Sequence, residues 1–128
     1  MKLVNPGTGE ISDRLTILAL KIYTWQEQGS DVAHFEAERA ALLAKIHSRT
    51  LNAKWFDALL ELGAVNALLW HAEDDLREIR GGSGGKDEYA EAGRVAFRIQ
   101  ALNDRRAELV SQINKEAGDG DAKEKGNS

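Results

Sequence analysis

Three stretches with helical periodicity carry polar side chains where an amphipathic helix would place apolar ones. Around residue 70, Asn66, Trp70, Glu73 and Arg77 follow at spacings of four, three and four, which stacks them on one face over three turns, and Asp74 lies beside them. Near the start of the chain, Glu10, Arg14 and Lys21 share a face at spacings of four and seven, with Asp13 adjacent. Towards the end, Asn103, Asp104 and Arg106 fall on or next to an apolar stripe. A buried amide or carboxylate left unpaired costs on the order of several kcal/mol, so each of these groups needs a partner or a ligand.

The guanidinium forks of Arg14, Arg77 and Arg106 match phosphate and carboxylate geometry. Asn66, Asn103 and the acids Glu10, Asp13, Glu73, Asp74 and Asp104 would read the polar edges of such a ligand, and Trp70 offers a ring on which a base can stack. The pattern predicts non-catalytic binding of a small anionic, nucleotide-like ligand in a cleft between helices; sequestration of a nucleotide signal is one concrete form. A plainer alternative is a structural or protein-interaction module, in which Glu73, Asp74 and Arg77 form an ion-pair network that fixes helix register and Trp25, Trp55 and Trp70 pack in the core.

A third reading groups Glu10, Asp13, Glu73, Asp74 and Asp104 as a magnesium site of the kind that all-α nucleotide pyrophosphohydrolases build from paired acids on facing helices. Those enzymes show an E-x-x-E helix followed by an E-x-x-D helix. Here Glu10-x-x-Asp13 comes first and Glu88-x-x-Glu91 comes late, and the nearby arginines compete for the same carboxylates. His34, His47 and His71 have no metal-ligand spacing, no serine sits in a nucleophile motif, and the glycine run at 81–85 lacks the Lys-Ser/Thr ending of a phosphate loop.

Helices must position these groups. Pro6 and the glycines at 7, 9, 29, 81–85 and 118–126 divide the chain into blocks without strand-like alternation, which predicts an all-α four-helix bundle. The first helix is predicted over Thr8 to Gln28, with Ile11, Leu15, Leu18, Ile22 and Trp25 as its stripe and Gly29 as its stop. The second begins at Ser30 or Asp31 as N-cap and carries Phe35, Leu42, Leu43 and Ile46 to about Ser48. The third starts near Asn52 and runs to Arg80, with Trp55, Leu59, Leu62, Asn66, Leu69, Glu73, Leu76 and Arg80 on one seam. The fourth opens after Asp87, carries Val95, Ile99, Leu102, Arg106, Leu109 and Ile113, and ends before Gly118.

The last two helices, each roughly 40–45 Å long, form a predicted antiparallel hairpin across the spacer-like Gly81-Gly82-Ser83-Gly84-Gly85. A turn near residue 83 or 84 brings positions totalling about 167 to one level, with Glu73 opposite Arg94 and Asn66 near Ala101 and Asn103. Gly63 and Gly93 sit inside helices, where close helix approach would explain them. Residues 1–117 form the single predicted domain and 118–128 a mobile tail. Leu20, Tyr23, Leu60, Leu68 and Ile79 fall off the main stripes and are the predicted surface of a homo-oligomer.

The segments Gly9-Glu10-Ile11-Ser12-Asp13-Arg14-Leu15-Thr16-Ile17-Leu18 with Lys21, Asn66 with Leu69-Trp70, Glu73-Asp74 with Arg77, and Asn103-Asp104-Arg105-Arg106-Ala107 resemble an uncharacterised bacterial family of small helical proteins, classed as a domain of unknown function. The resemblance covers three of the four helices in order; the second helix, the glycine linker and the tail at Lys123-Glu124-Lys125 depart from the pattern. It implies which positions act together and supplies no reaction.

Composition narrows the partners. A net charge of −4 argues against general nucleic-acid or anionic-membrane binding. With no cysteine there is neither a disulfide nor a thiolate metal site, and no apolar run reaches the roughly 18 residues of a membrane span, so the expected setting is cytoplasmic and the expected cofactor is none, or magnesium in the hydrolase reading.

Overall fold

A computed structural model describes residues 6–46, 52–82 and 84–119. Four helices follow in order, α1 over Thr8–Glu27, α2 over Ala33–Leu43, α3 over Ala53–Arg80 and α4 over Lys86–Ala117, with no strand among the described residues. The architecture is the all-α bundle expected. α3 and α4 form its most extensive contact, α1 lies against both, and α2 packs chiefly on α1.

The helix ends follow local chemistry. Gly29 takes a φ of 78° and closes α1, its amide bonding to the Gln26 carbonyl while the Ser30 amide reaches back to Trp25. Gly118, at a φ of 76°, ends α4 in the same manner, with the Asp119 amide on the Asn114 carbonyl. The Asn52 side chain caps α3 by accepting the Trp55 amide at 2.8 Å. Asp31 accepts the Ala33 amide at 2.9 Å but is not the cap predicted: α2 begins at Ala33 with Val32 at its N-cap position, beyond both Ser30 and Asp31. Its predicted extent does not hold either: the helix ends at Leu43, and Ala44 to Ile46 form a turn. The remainder of that expectation, at 47 and 48, lies outside the described residues.

Two clusters make the core. Ala58, Leu62, Val65 and Leu69 of α3 meet Leu109 and Ile113 of α4, and Ile11 and Leu18 of α1 meet Leu42 of α2. The Arg105–Glu61 ion pair fixes the hairpin within one residue of the expected register. Glu73 and Arg94 do not pair across it, because Arg94 bonds instead to Glu91 on its own helix. Leu43, assigned to the α2 stripe, is exposed.

The interior glycines of α3 and α4 do not mark tight helix packing. A Cβ at Gly93 would meet nothing within 4 Å, and one at Gly63 only Thr16 Cγ2 at 3.8 Å. The close approach occurs at Gly9, where a Cβ would stand 2.2 Å from the Val110 carbonyl oxygen. Gly118 and Asp119, expected at the head of a mobile tail, are the cap of α4 and an acceptor for α1; residues 120–128 lie outside the described residues. No described helix is long and apolar enough to cross a membrane.

Candidate functional site

The start of α1 and the end of α4 are joined by side chains. Gly7 at the N-cap position has none to offer, so the orphan amides of the first turn find acceptors more than a hundred residues away. The Thr8 amide bonds to Asp119 Oδ2 at 2.8 Å and the Gly9 amide to Asn114 Oδ1 at 2.7 Å. Asn114, fully buried, turns its Nδ2 to Glu10 at 2.8 Å.

One turn further along α1, Asp13 accepts both Nε and Nη2 of Arg106, at 2.8 and 2.6 Å, in a bidentate pair. Asn66 of α3 also donates to Asp13, at 2.9 Å, and to Thr16 Oγ1 at 2.8 Å, and the Thr16 hydroxyl donates to the Asp13 carbonyl. Arg14 forms a second bidentate pair with Glu38 of α2, at 2.7 and 2.8 Å. Hydrogen bonding to Asp13 raises the Arg106 pKa above its ordinary value despite burial, and the Glu73 charge adds to the effect. Arg14 is likewise raised by its bonds to Glu38, and Glu38 is held below the usual carboxylate range by Arg14.

Beside these pairs lies a hollow of about 540 Å³ between α1 and α4. Glu10, Asp13, Arg14 and Ile17 form one wall, and Asn103, Arg106, Ala107, Val110, Ser111 and Asn114 the other. Each guanidinium spends Nε and Nη2 on its carboxylate, and among the described residues neither Nη1 has a protein acceptor. Ile17, Ala107 and Val110 supply an apolar floor.

The sequence-predicted residues therefore divide. Glu10, Asp13, Arg14, Asn103 and Arg106 line the hollow, and Asn66 is buried behind it as a support for Asp13. Trp70 packs edge-to-face on Trp25, with centroids 5.8 Å apart at 85°, and does not line the hollow. Asp74 and Arg77 pair with each other on the surface. Glu73 is exposed, and Asp104 is exposed and accepts from Gln100 at 3.1 Å. Lys21 sits 5.4 Å over the Phe35 ring. The alternative magnesium set is thus not assembled: Glu10 and Asp13 line the hollow, Glu73, Asp74 and Asp104 do not, and no group of three His, Asp or Glu among the described residues is placed to hold a metal ion.

Asn114, Ser111 and Glu38 escaped the sequence reading. Asn114 continues the face of Asn103, Arg106 or Ala107, and Val110 at helical spacing, which was a usable signal; Glu38 sits on a mixed polar face that gave none. No family model, curated protein or solved structure matches the chain.

Proposed function

We propose that the chain binds a small, singly phosphorylated or carboxylated ligand of nucleotide-monophosphate size in the hollow between α1 and α4, without chemistry of its own. One observation carries this reading: two guanidiniums, each locked by a carboxylate through Nε and Nη2 and each with Nη1 unused, line a hollow with an apolar floor and a volume within the ordinary range of ligand pockets. Pre-anchored forks lose little freedom when they take an anion.

Charge limits the ligand. Asp13 and Glu38 neutralise the two arginines, and Glu10 adds a further negative charge to the wall. A polyphosphate would meet net repulsion there. A ligand with one anionic group for Arg14 and Arg106, and an amino or hydroxyl donor for Glu10, fits the charge pattern better. Asn103 and Ser111 remain to read polar edges.

The test is thermal shift with nucleoside monophosphates, the parent nucleosides and the triphosphates, on the native chain and on Ala107→Phe, which fills the hollow from an exposed position. A ligand at a hundred times its Kd stabilises by about 2.7 kcal/mol, a readily measured shift. Monophosphates should stabilise more than nucleosides or triphosphates, and Ala107→Phe should remove the effect without lowering the unliganded Tm. A shift that survives Ala107→Phe would place the ligand elsewhere.

One observation favours a second reading, a structural module with a salt-bridged centre: no buried side-chain nitrogen or oxygen among the described residues lacks a partner. That reading gains if no compound shifts the Tm. Magnesium-dependent hydrolysis has the weakest support, since its five acids are dispersed; phosphate release on adding magnesium would revive it.

A further inference from the structure

The N-terminal half of α3 is apolar over most of its circumference. From Trp55 to Trp70 only Asp57, Glu61 and Asn66 are charged or carry an amide, so apolar residues extend well beyond the single stripe that a surface helix needs to bury. α4 and α1 cover one side, through Ala58, Leu62, Val65 and Leu69. The opposite side stays open, with Phe56 54%, Leu60 59% and Leu68 42% exposed. Tyr23 of α1, 70% exposed, extends this face across a shallow hollow of about 460 Å³ shared with Leu59 and Leu60.

We infer that this face joins a second copy of the chain through antiparallel α3–α3 packing on a two-fold axis at Ala64. An isologous interface requires each patch to complement itself, so that a residue before the axis meets the one equally far beyond it. About Ala64 the outward residues of α3 satisfy this condition. Leu60 meets the partner's Leu68, and Asp57 meets the partner's His71. Ala64 and Ala67 keep the crossing point small, which permits helix axes about 8–10 Å apart. Asp57 and His71 are both exposed, and neither has a hydrogen bond or ion pair among the described residues. Apolar residues at the middle of the stripe and complementary charges at its ends point to a copy of the same helix as the occupant. The hollow between α1 and α4 shares no lining residue with this face.

Sedimentation equilibrium of the full chain tests the inference, with three variants. The native chain should be a dimer at micromolar concentration, and Leu60→Glu with Leu68→Glu should be a monomer of unchanged helicity. Asp57→Lys alone should weaken the dimer between about twofold and 30-fold, two symmetry-related exposed pairs being lost, and Asp57→Lys with His71→Asp should restore it. Because the chain has no cysteine, Ala64→Cys introduces its sole thiol and should cross-link to a covalent dimer on oxidation, whereas Ala96→Cys on α4 should not. A native monomer at about 100 µM would overturn the inference, as would a dimer indifferent to Leu60→Glu with Leu68→Glu. Cross-linking of Ala96→Cys but not Ala64→Cys, or failure of the charge exchange to restore affinity, would overturn the Ala64 register.

Discussion

The same substitution, glycine to alanine, should have opposite effects at Gly9 and Gly93. At Gly9 the new methyl would lie 2.2 Å from the Val110 carbonyl oxygen and 3.0 Å from Asn114 Oδ1, and the nearer obstacle is backbone, which cannot rotate aside. α1 must move off α4 by about 1 Å to reach ordinary contact, which costs about 1–3 kcal/mol as overpacking. The same movement breaks the 2.7 Å bond from the Gly9 amide and leaves the Asn114 carbonyl buried without its donor, a further loss of about 1–3 kcal/mol. Against this stands a gain in helix propensity of at most about 1 kcal/mol. The net expectation for Gly9→Ala is a loss of about 2–5 kcal/mol, or roughly 10 °C or more in Tm for a domain of this size. At Gly93 nothing lies within 4 Å, so Gly93→Ala should stabilise by about 0.5–1 kcal/mol. Urea and thermal unfolding followed by circular dichroism at 222 nm read both effects. A neutral Gly9→Ala would refute the close contact between α1 and α4, and with it the shape of the adjoining hollow.

Other expectations concern the polar groups around that hollow. Truncating Arg106→Ala leaves Asp13 with the Asn66 bond and should cost about 2–4 kcal/mol, less than for a fully buried pair because the Arg106 side chain is 34% exposed. In a double-mutant cycle with Asp13→Asn the coupling should exceed about 1 kcal/mol, and an additive result would deny the pairing. Asn66→Ala removes donors to Asp13 and Thr16 and should cost about 1–3 kcal/mol in denaturant unfolding. Glu38 is held by Arg14 below its usual 4.5, so the folded state binds fewer protons than the unfolded one just below that pH. Its stabilisation is complete above about 4.5 and fades as pH falls through the lowered folded value; Glu38→Gln should show a flatter loss of stability over that acid window. Arg77→Ala, which breaks an exposed pair, should alter stability by less than about 0.5 kcal/mol and leave any ligand shift intact.

Much of the fold was legible because breakers and caps act locally. Asn52 and Gly81 bound α3, and Gly29 and Gly118 bound α1 and α4, through backbone requirements visible in the residue types themselves. The end of α2 was not legible. Ile46 still packs on the α1/α2 cluster, but the amides of Lys45 and Ile46 bond three residues back in a tightened turn, so apolar spacing outlived the helix. Spacing showed which α3 polar groups share a face but not how far that face is covered. α1 is about 30 Å long against about 42 Å for α3, so Asn66 lies under it while Glu73 and Arg77 stand in water. Half of the expected site thus became surface, and its other half joined residues of α4 that spacing alone did not connect.

The remote capping of α1 constrains how the molecule can assemble. Donors at residues 8 and 9 wait for acceptors at 119 and 114, so the opening turn gains its full support only once synthesis has passed Asp119. A nascent chain released early, or trimmed just short of Asp119, would carry a frayed entrance to its first helix while the α3/α4 hairpin could already zip from its own glycine bend. The start of α1 and the end of α4 thus act as a clasp, and its closing is an event of high contact order laid over an otherwise local, fast-forming scaffold.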